Sequence, residues 1–393
     1  MTRLAIDGAT PVHDGSWPAW PPAPDEAQRA LVHQAMESGA WSSSAGPLCD
    51  LFAGRFAAAH GASHGITMTN GTLALFVALR AAGVGPGDDV IVPAYTFVAC
   101  ATSVVLAGAT PVIADVDPEH LHLNAAAIER SLTDRSRAVM VVHLAGSPAP
   151  MQEINDLAAR RGLLVLEDSA QAHGATYRDA PVGAIGDIGT FSFQSSKAMT
   201  AGEGGLIVTN DDELARHAWS LCNVGRRRGG AWYGHDEIGW NLRMTEFQAA
   251  LLLPWLDRLP GEIRVREDFA QALTAAIAGG AIPASIVADP EGTTRNSRHL
   301  LILRLTPDTD REWVARALEA EGVPVDLGYP HLGRIPVVAE HARTSPTPDL
   351  DLVLERLLWI RQPMLMSGRS GAATVAEALA RVLRDPRARS QAA

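Results

Sequence analysis

Lys197 stands a few small polar residues after the apolar run Phe191-Ser192-Phe193 and just before the glycine-rich turn Gly202-Glu203-Gly204-Gly205. A lysine held between a buried strand and a tight turn loses water, which disfavours its ammonium form and lowers its pKa. The neutral amine so produced can attack an aldehyde carbon. The plain alternative is a surface lysine on a loop, and the neighbouring motifs decide between the two.

Glu167-Asp168-Ser169-Ala170-Gln171-Ala172-His173-Gly174 follows the apolar run Leu163–Leu166. A carboxylate at the C-terminal end of a parallel strand sits where open α/β sheets bind ligands. Asp168 can keep a pyridine nitrogen protonated, or it can simply cap the next helix. Gln171 is placed to reach a phenolic oxygen, and His173 is either a contact or a packed core residue. Thr69-Asn70-Gly71-Thr72 precedes a helical pattern, and a helix N-terminus with glycine suits a phosphate group or serves as an ordinary cap. Ser192 and Ser195 are further hydroxyl donors. Tyr95 or Phe97, in Pro93-Ala94-Tyr95-Thr96-Phe97, can stack on a flat ring. An amine, a carboxylate, a phosphate cradle and an aromatic platform are together the needs of pyridoxal 5'-phosphate.

The elements that must carry these residues are legible as alternation. Val90–Val92, Pro111–Ala114, Val139–Val142, Leu163–Leu166, Thr190–Phe193 and Leu206–Val208 read as strands covered on both faces. Helices are expected over Thr72–Ala82, Val98–Leu106, Asn124–Ser131, Met151–Arg161 and Asp211–Cys222. Strand, helix, strand in succession means an α/β fold with a mainly parallel central sheet sandwiched by helices. Asn223–Gly239 reads as a long loop, mobile or partner-contacting. A helix from Thr245 to Pro254 is expected, with a break at Pro260-Gly261 and a smaller α+β C-terminal domain beyond. The expected division is an N-terminal arm over 1–23, a large domain over 24–256 and a small domain over 257–393. Asp385–Ala393 looks frayed.

Composition removes other classes. The 393 residues carry 33 Lys+Arg against 44 Asp+Glu, a net charge of −11, which lacks the basic footprint of a nucleic-acid binder. Cys49, Cys100 and Cys222 are isolated, so neither a zinc knuckle nor a disulfide scaffold is expected, and no metal site. No signal peptide or membrane span is seen, which predicts a cytoplasmic protein. No GxGxxG turn follows the first strand, against a Rossmann dehydrogenase.

In order along the chain, Gly46-Pro47, Thr69–Thr72, Pro93–Phe97, Glu167–Gly174, Phe191–Lys197, Gly202–Gly205 and Asn241-Leu242-Arg243-Met244-Thr245-Glu246 resemble the DegT/DnrJ/EryC1/StrS family of aminotransferases. The resemblance implies the pyridoxal-phosphate type I fold and assigns roles. Lys197 would be the Schiff-base lysine and proton shuttle, Asp168 the pyridine-nitrogen partner and Gln171 the ring-oxygen contact. Phe97 would be the stacking residue, with Gly71, Thr72 and Ser192 as phosphate contacts. Asn241 would reach the phosphate of a neighbouring subunit, which implies a homodimer with shared active sites. Tyr95, His173, Arg227, Tyr329 and His331 are candidate substrate contacts.

Trp17-Pro18-Ala19-Trp20-Pro21 and Phe191-Ser192-Phe193-Gln194 resemble the branch acting on cyclitol ketones and the 3-amino-5-hydroxybenzoate synthases. The implied reaction moves an amino group from glutamine or glutamate to a ketone on a cyclitol or sugar-like ring in antibiotic biosynthesis. Asn241–Met244 looks more like the nucleotide-sugar branch, for which Arg226, Arg227 and Arg228 could grip a diphosphate. A pyridoxal-phosphate-dependent dehydratase or aromatising synthase, and a binder without turnover, are the other readings.

Overall fold

The computed structural model describes residues 3–389. Its strands begin with β1 (His64–Met68), β2 (Asp89–Pro93), β3 (Thr110–Ala114), β4 (Ser136–Val142) and β5 (Leu164–Asp168). Two short strands follow, β6 (Thr176–Tyr177) and β7 (Ala180–Pro181), then β8 (Ile188–Ser192) and β9 (Gly205–Thr209). The last third adds β10 (Ala284–Ile286), β11 (Thr293–Arg295), β12 (Leu301–Leu305), β13 (Arg343–Thr344) and β14 (Leu357–Ile360). The principal sheet has eight strands in the order β1-β9-β8-β5-β4-β2-β3-β13. From β8 to β13 the strands pair in parallel, and β9 runs antiparallel to both neighbours.

The crossovers are the expected helices. They are preceded by α1 (Glu26–Ser38) and α2 (Leu48–Ala59). Then come α3 (Gly71–Ala81), α4 (Ala99–Leu106), α5 (Ala125–Ser131), α6 (Met151–Arg161) and α7 (Asp212–Cys222). Alternate strand residues serve opposite faces, as the pleat requires. Val90, Val92 and Met140 join one core with side chains of α3, α4 and α7. Ile91, Val139 and Val141 join another with α5 and α6. Both faces are therefore apolar, which is why these strands read as continuous apolar runs.

The break expected at Pro260-Gly261 is absent. A single helix, α8 (Glu246–Gly279), runs through both Pro254 and Pro260. Each proline removes a backbone donor and costs about 3 kcal/mol in a helix interior. Packing overrides that cost. The N-terminal half buries Leu252, Leu253, Trp255 and Leu259 in a core shared with α2, and the C-terminal half buries Phe269, Leu273 and Ile277 in another. The boundary expected at 256/257 thus falls inside a continuous helix, while the cores divide further along it.

That second core holds one face of the sheet β10-β12-β14, together with α9 (Arg311–Ala320) and the C-terminal helix Gly368–Leu383. The other face of this sheet, through Leu300, Ile302, Leu357 and Trp359, packs into the principal core. The chain end up to residue 389 is anchored rather than frayed. Asp310 donates its amide to the Ala388 carbonyl at 2.9 Å, and Arg387 pairs with Asp7 at 2.6 Å. Residues 390–393 of that expectation lie outside the described residues. Among the described residues no helix is long and apolar enough to cross a membrane.

Candidate active site

The parallel strands deliver their C-terminal ends to one edge of the sheet, where a cavity of about 970 Å³ opens. Asn70, Gly71, Thr72, Phe97, Asp168, Gln171, Ser192 and Lys197 all line it. Residues separated by up to 127 positions in sequence meet here because β8, β5, β4 and β2 are successive neighbours in the sheet and end on one edge, with α3 starting against β8.

Asp168 is the last residue of β5 and is 7% exposed. Its Oδ1 accepts the Ala170 amide at 3.0 Å and its Oδ2 accepts the Cys100 thiol at 3.3 Å. The preceding residue, Glu167, points to the opposite face, as alternation along a strand dictates. Its carboxylate accepts from His143 Nε2 at 2.8 Å and from the amides of Gly183, Ile185 and Gly186. One carboxylate of the Glu167-Asp168 pair therefore locks a turn, and the other faces the cavity.

Lys197 is half-buried at the cavity wall. Desolvation lowers its pKa, and the charge of Asp168 pulls partly the other way. The net direction favours a reactive amine. Gln171 is clamped: Oε1 accepts the Ala145 amide at 2.6 Å and Nε2 donates to the Tyr329 hydroxyl at 2.8 Å. Ala145 holds a left-handed φ of 59° in a turn after β4, a strained backbone spent on presenting that amide.

At the other end of the cavity Asn70 caps α3, its side chain accepting the Leu73 amide at 2.9 Å. The first amides of a helix have no partners within it. A Cβ on Gly71 would lie 2.7 Å from Ser192 Cβ, so only glycine lets the first turn of α3 close against β8. Helix amides with the Thr72 and Ser192 hydroxyls form a donor set suited to a phosphate. With Asp168 for a ring nitrogen and Lys197 for an aldehyde, these residues fit pyridoxal phosphate. Phe97, 51% exposed, offers an aromatic face beside Tyr329, with ring centroids 5.9 Å apart.

The candidate substrate contacts separate. Tyr329 lines the cavity. It arrives there from the C-terminal third because the Leu332 amide bonds the Ala94 carbonyl beyond β2 at 2.8 Å. Tyr95 lies behind it, 1% exposed, its hydroxyl accepting from Trp359 Nε1 at 3.0 Å. His173 is fully buried against Phe56, Phe191 and Phe193, away from the cavity wall. Burial holds its pKa well below the ordinary histidine value. Arg227 lies in a different depression beside Trp219, paired with Asp236 at 2.8 Å. His331 borders a third depression and bonds Thr347 at 2.8 Å. Asn241 is exposed, outside the cavity, in an isolated bridge to Asn223.

The sequence reading missed Cys100, His299, Trp359, Arg361 and Gln362. A signal existed for Cys100, which lies one helical turn after Phe97 near the start of α4. The others come from β14 and the residues flanking β12 and β14, and no local motif marks them.

The model of the DegT/DnrJ/EryC1/StrS aminotransferase family matches residues 22–379. A putative L-glutamine:3-amino-2,3-dideoxy-scyllo-inosose aminotransferase of Micromonospora echinospora is 39% identical over 84% of this chain and 81% of its own length. An L-glutamine:2-deoxy-scyllo-inosose aminotransferase of Streptomyces paromomycinus is also 39% identical, over 84% of this chain and 80% of its own. Among solved structures, 3-amino-5-hydroxybenzoic acid synthase superposes with a TM-score of 0.89 at 33% identity, covering 94% of this chain and 98% of that one.

Proposed function

We propose, for a chain that belongs to the DegT/DnrJ/EryC1/StrS family and is a pyridoxal-phosphate-dependent aminotransferase of type I fold, that its acceptor is the ketone of a cyclitol and its amino donor glutamine. The observation that carries the choice of acceptor is the charge of the cavity wall. Its cationic side chains are Lys197 and Arg361, and Arg361 is held by Asp326 through both Nε and Nη2. Arg227, the candidate grip for a diphosphate, is already paired with Asp236 at 2.8 Å. An uncharged polyol suits such a wall better than a nucleotide diphosphate. The glutamine-dependent relatives at 39% identity support the same reading.

Pyridoxal phosphate supplies an aldehyde and an electron sink when bound. Lys197 would supply the amine that tethers this aldehyde and the base that moves a proton during transamination. Asp168 keeps the ring nitrogen protonated, its own geometry fixed by Ala170 and Cys100. Gln171 would meet the ring oxygen, Phe97 would supply an aromatic face for the ring, and Gly71, Thr72 and Ser192 would hold the phosphate. Trp20, Tyr329 and Trp359 restrict water at the cavity wall. The exposed Asn241 and the exposed apolar loop residues Trp232, Tyr233 and Ile238 support a homodimer with shared sites.

The test is the absorption spectrum of the purified holoenzyme. Glutamine should bleach the yellow band of lysine-bound cofactor, and 2-deoxy-scyllo-inosose should restore it. Restoration only by keto-sugar nucleotides would overturn the acceptor assignment. Turnover without consumption of any amino donor would replace transamination by dehydration or aromatisation.

A further inference from the structure

His299 and Gln362 are brought together by the register of the small sheet. β12 and β14 pair antiparallel with Leu301 opposite Ile360. His299 lies two residues before Leu301 and Gln362 two after Ile360, so the two come opposite each other just beyond the end of the ladder, at the cavity. Both line the cavity and both are buried, at 4% and 2% exposed.

Their hydrogen bonds fix the imidazole's tautomer. Gln362 Nε2 donates to the Ser196 carbonyl at 3.2 Å, which identifies the nitrogen end of the amide. The same nitrogen lies 3.1 Å from His299 Nδ1. Nδ1 must therefore accept, and the proton of a neutral ring sits on Nε2. Neutrality follows from burial and from nearby Lys197, which together hold the ring well below the ordinary histidine pKa. Among the described residues Nε2 has no protein partner, and it opens onto the cavity, where an oxygen of a ligand can accept its hydrogen.

We propose that His299, oriented by Gln362, donates a hydrogen bond from Nε2 to an oxygen of the keto-cyclitol and so helps set which ring ketones are accepted. This rests on the acceptor reading above. A neutral N–H suits hydroxyl and carbonyl oxygens, which a polyol ring presents on all sides. The carboxylate of an amino donor is better met by a cation. Ser196 adjoins Lys197, so the bond to Gln362 also ties this donor to the loop that carries the amine.

The two half-reactions separate the roles. In holoenzyme carrying His299→Leu, bleaching by glutamine should stay within about twofold of the wild type. Restoration of the band by 2-deoxy-scyllo-inosose should slow about 10- to 100-fold, the loss expected for one buried hydrogen bond to substrate. His299→Gln, which keeps an N–H, should recover part of that loss, and Gln362→Leu should show a weaker form of the same asymmetry. Histidine nitrogen NMR of the holoenzyme should show an Nε2–H tautomer at His299 that is lost in Gln362→Leu. Equal slowing of both halves, no slowing in either, or an Nδ1–H tautomer overturns the proposal. Wild-type protein that the cyclitol does not restore refutes the acceptor reading instead, and the comparison is then made with the ketone that does restore it.

Discussion

The fully buried Cys100 thiol donates across 3.3 Å to Oδ2 of Asp168, the carboxylate that faces the cavity. Burial and the adjacent carboxylate push the thiol pKa well up, so Cys100 remains a neutral donor. Thr96 Oγ1 lies 3.2 Å from the same sulfur and completes the chain. Cys100→Ala should weaken cofactor affinity about 3- to 10-fold by leaving Oδ2 without its donor. Cys100→Ser should restore the affinity. Fluorescence titration with pyridoxal phosphate measures both, and equal affinities for the Ala and Ser variants would remove the thiol from the account.

Lys197→Ala removes the amine while leaving the phosphate cradle and Asp168 in place. The variant should bind the cofactor without the yellow lysine-linked band. Transamination should fall by at least about 10³-fold, since both attachment and proton transfer depend on this side chain. Normal turnover by this variant, followed as product amine, would refute the assignment.

Gly71→Ala tests the cradle by volume alone. The added methyl meets Ser192 Cβ at 2.7 Å and must push the first turn of α3 away from β8. A shift of that kind should cost about tenfold in cofactor affinity, because phosphate binding depends on amide positions. The melting temperature of the cofactor-free protein should change less, with about 1–3 kcal/mol the upper range for overpacking. Calorimetry of both forms gives the two numbers.

The buried pair His143–Glu167 predicts a pH dependence. Burial opposes the charge on Glu167, but His143 and the amides of Gly183 and Gly186 outweigh it and hold the carboxyl below its usual range. A depressed carboxylate contributes stability above its unfolded pKa, about 4.3, and loses it as pH falls through the folded value. Wild-type stability should therefore decline on acidification below about pH 4.3. Glu167→Gln should flatten that decline while lowering stability near neutrality by about 1.5–3 kcal/mol, as expected for weakening hydrogen bonds to a buried carboxylate. Denaturant titrations at several pH values would show it.

Pro260 lies on an exposed position of α8 where no proline is needed for packing. Pro260→Ala should return a backbone donor to the helix and stabilise the protein by about 1–3 kcal/mol. A lower denaturation midpoint would mean that the proline is accommodated by a kink on which the neighbouring cores depend.

Much of this molecule is written locally. The apolar runs Val90–Val92 and Val139–Val142, the helix Met151–Arg161, and Lys197, Asp168, Gly71 and Ser192 at one cavity follow from short-range pattern and ordered motifs. A strand buried on both faces and a helix opened by a capping residue each carry their signal within a few residues. Other features are decided only when distant segments pack. The helix through Pro254 and Pro260 persists because burial on two cores exceeds a local penalty that sequence alone reads as a stop. His173 and Tyr95 sit in motifs yet pack behind the cavity, since the face a side chain takes depends on strand register and on what the next layer supplies. His299 and Gln362 meet through the antiparallel register of β12 and β14, a pairing 63 residues apart in sequence that leaves no local trace. Chemistry that uses adjacent residues is legible in the chain, and chemistry assembled across a sheet waits for the sheet.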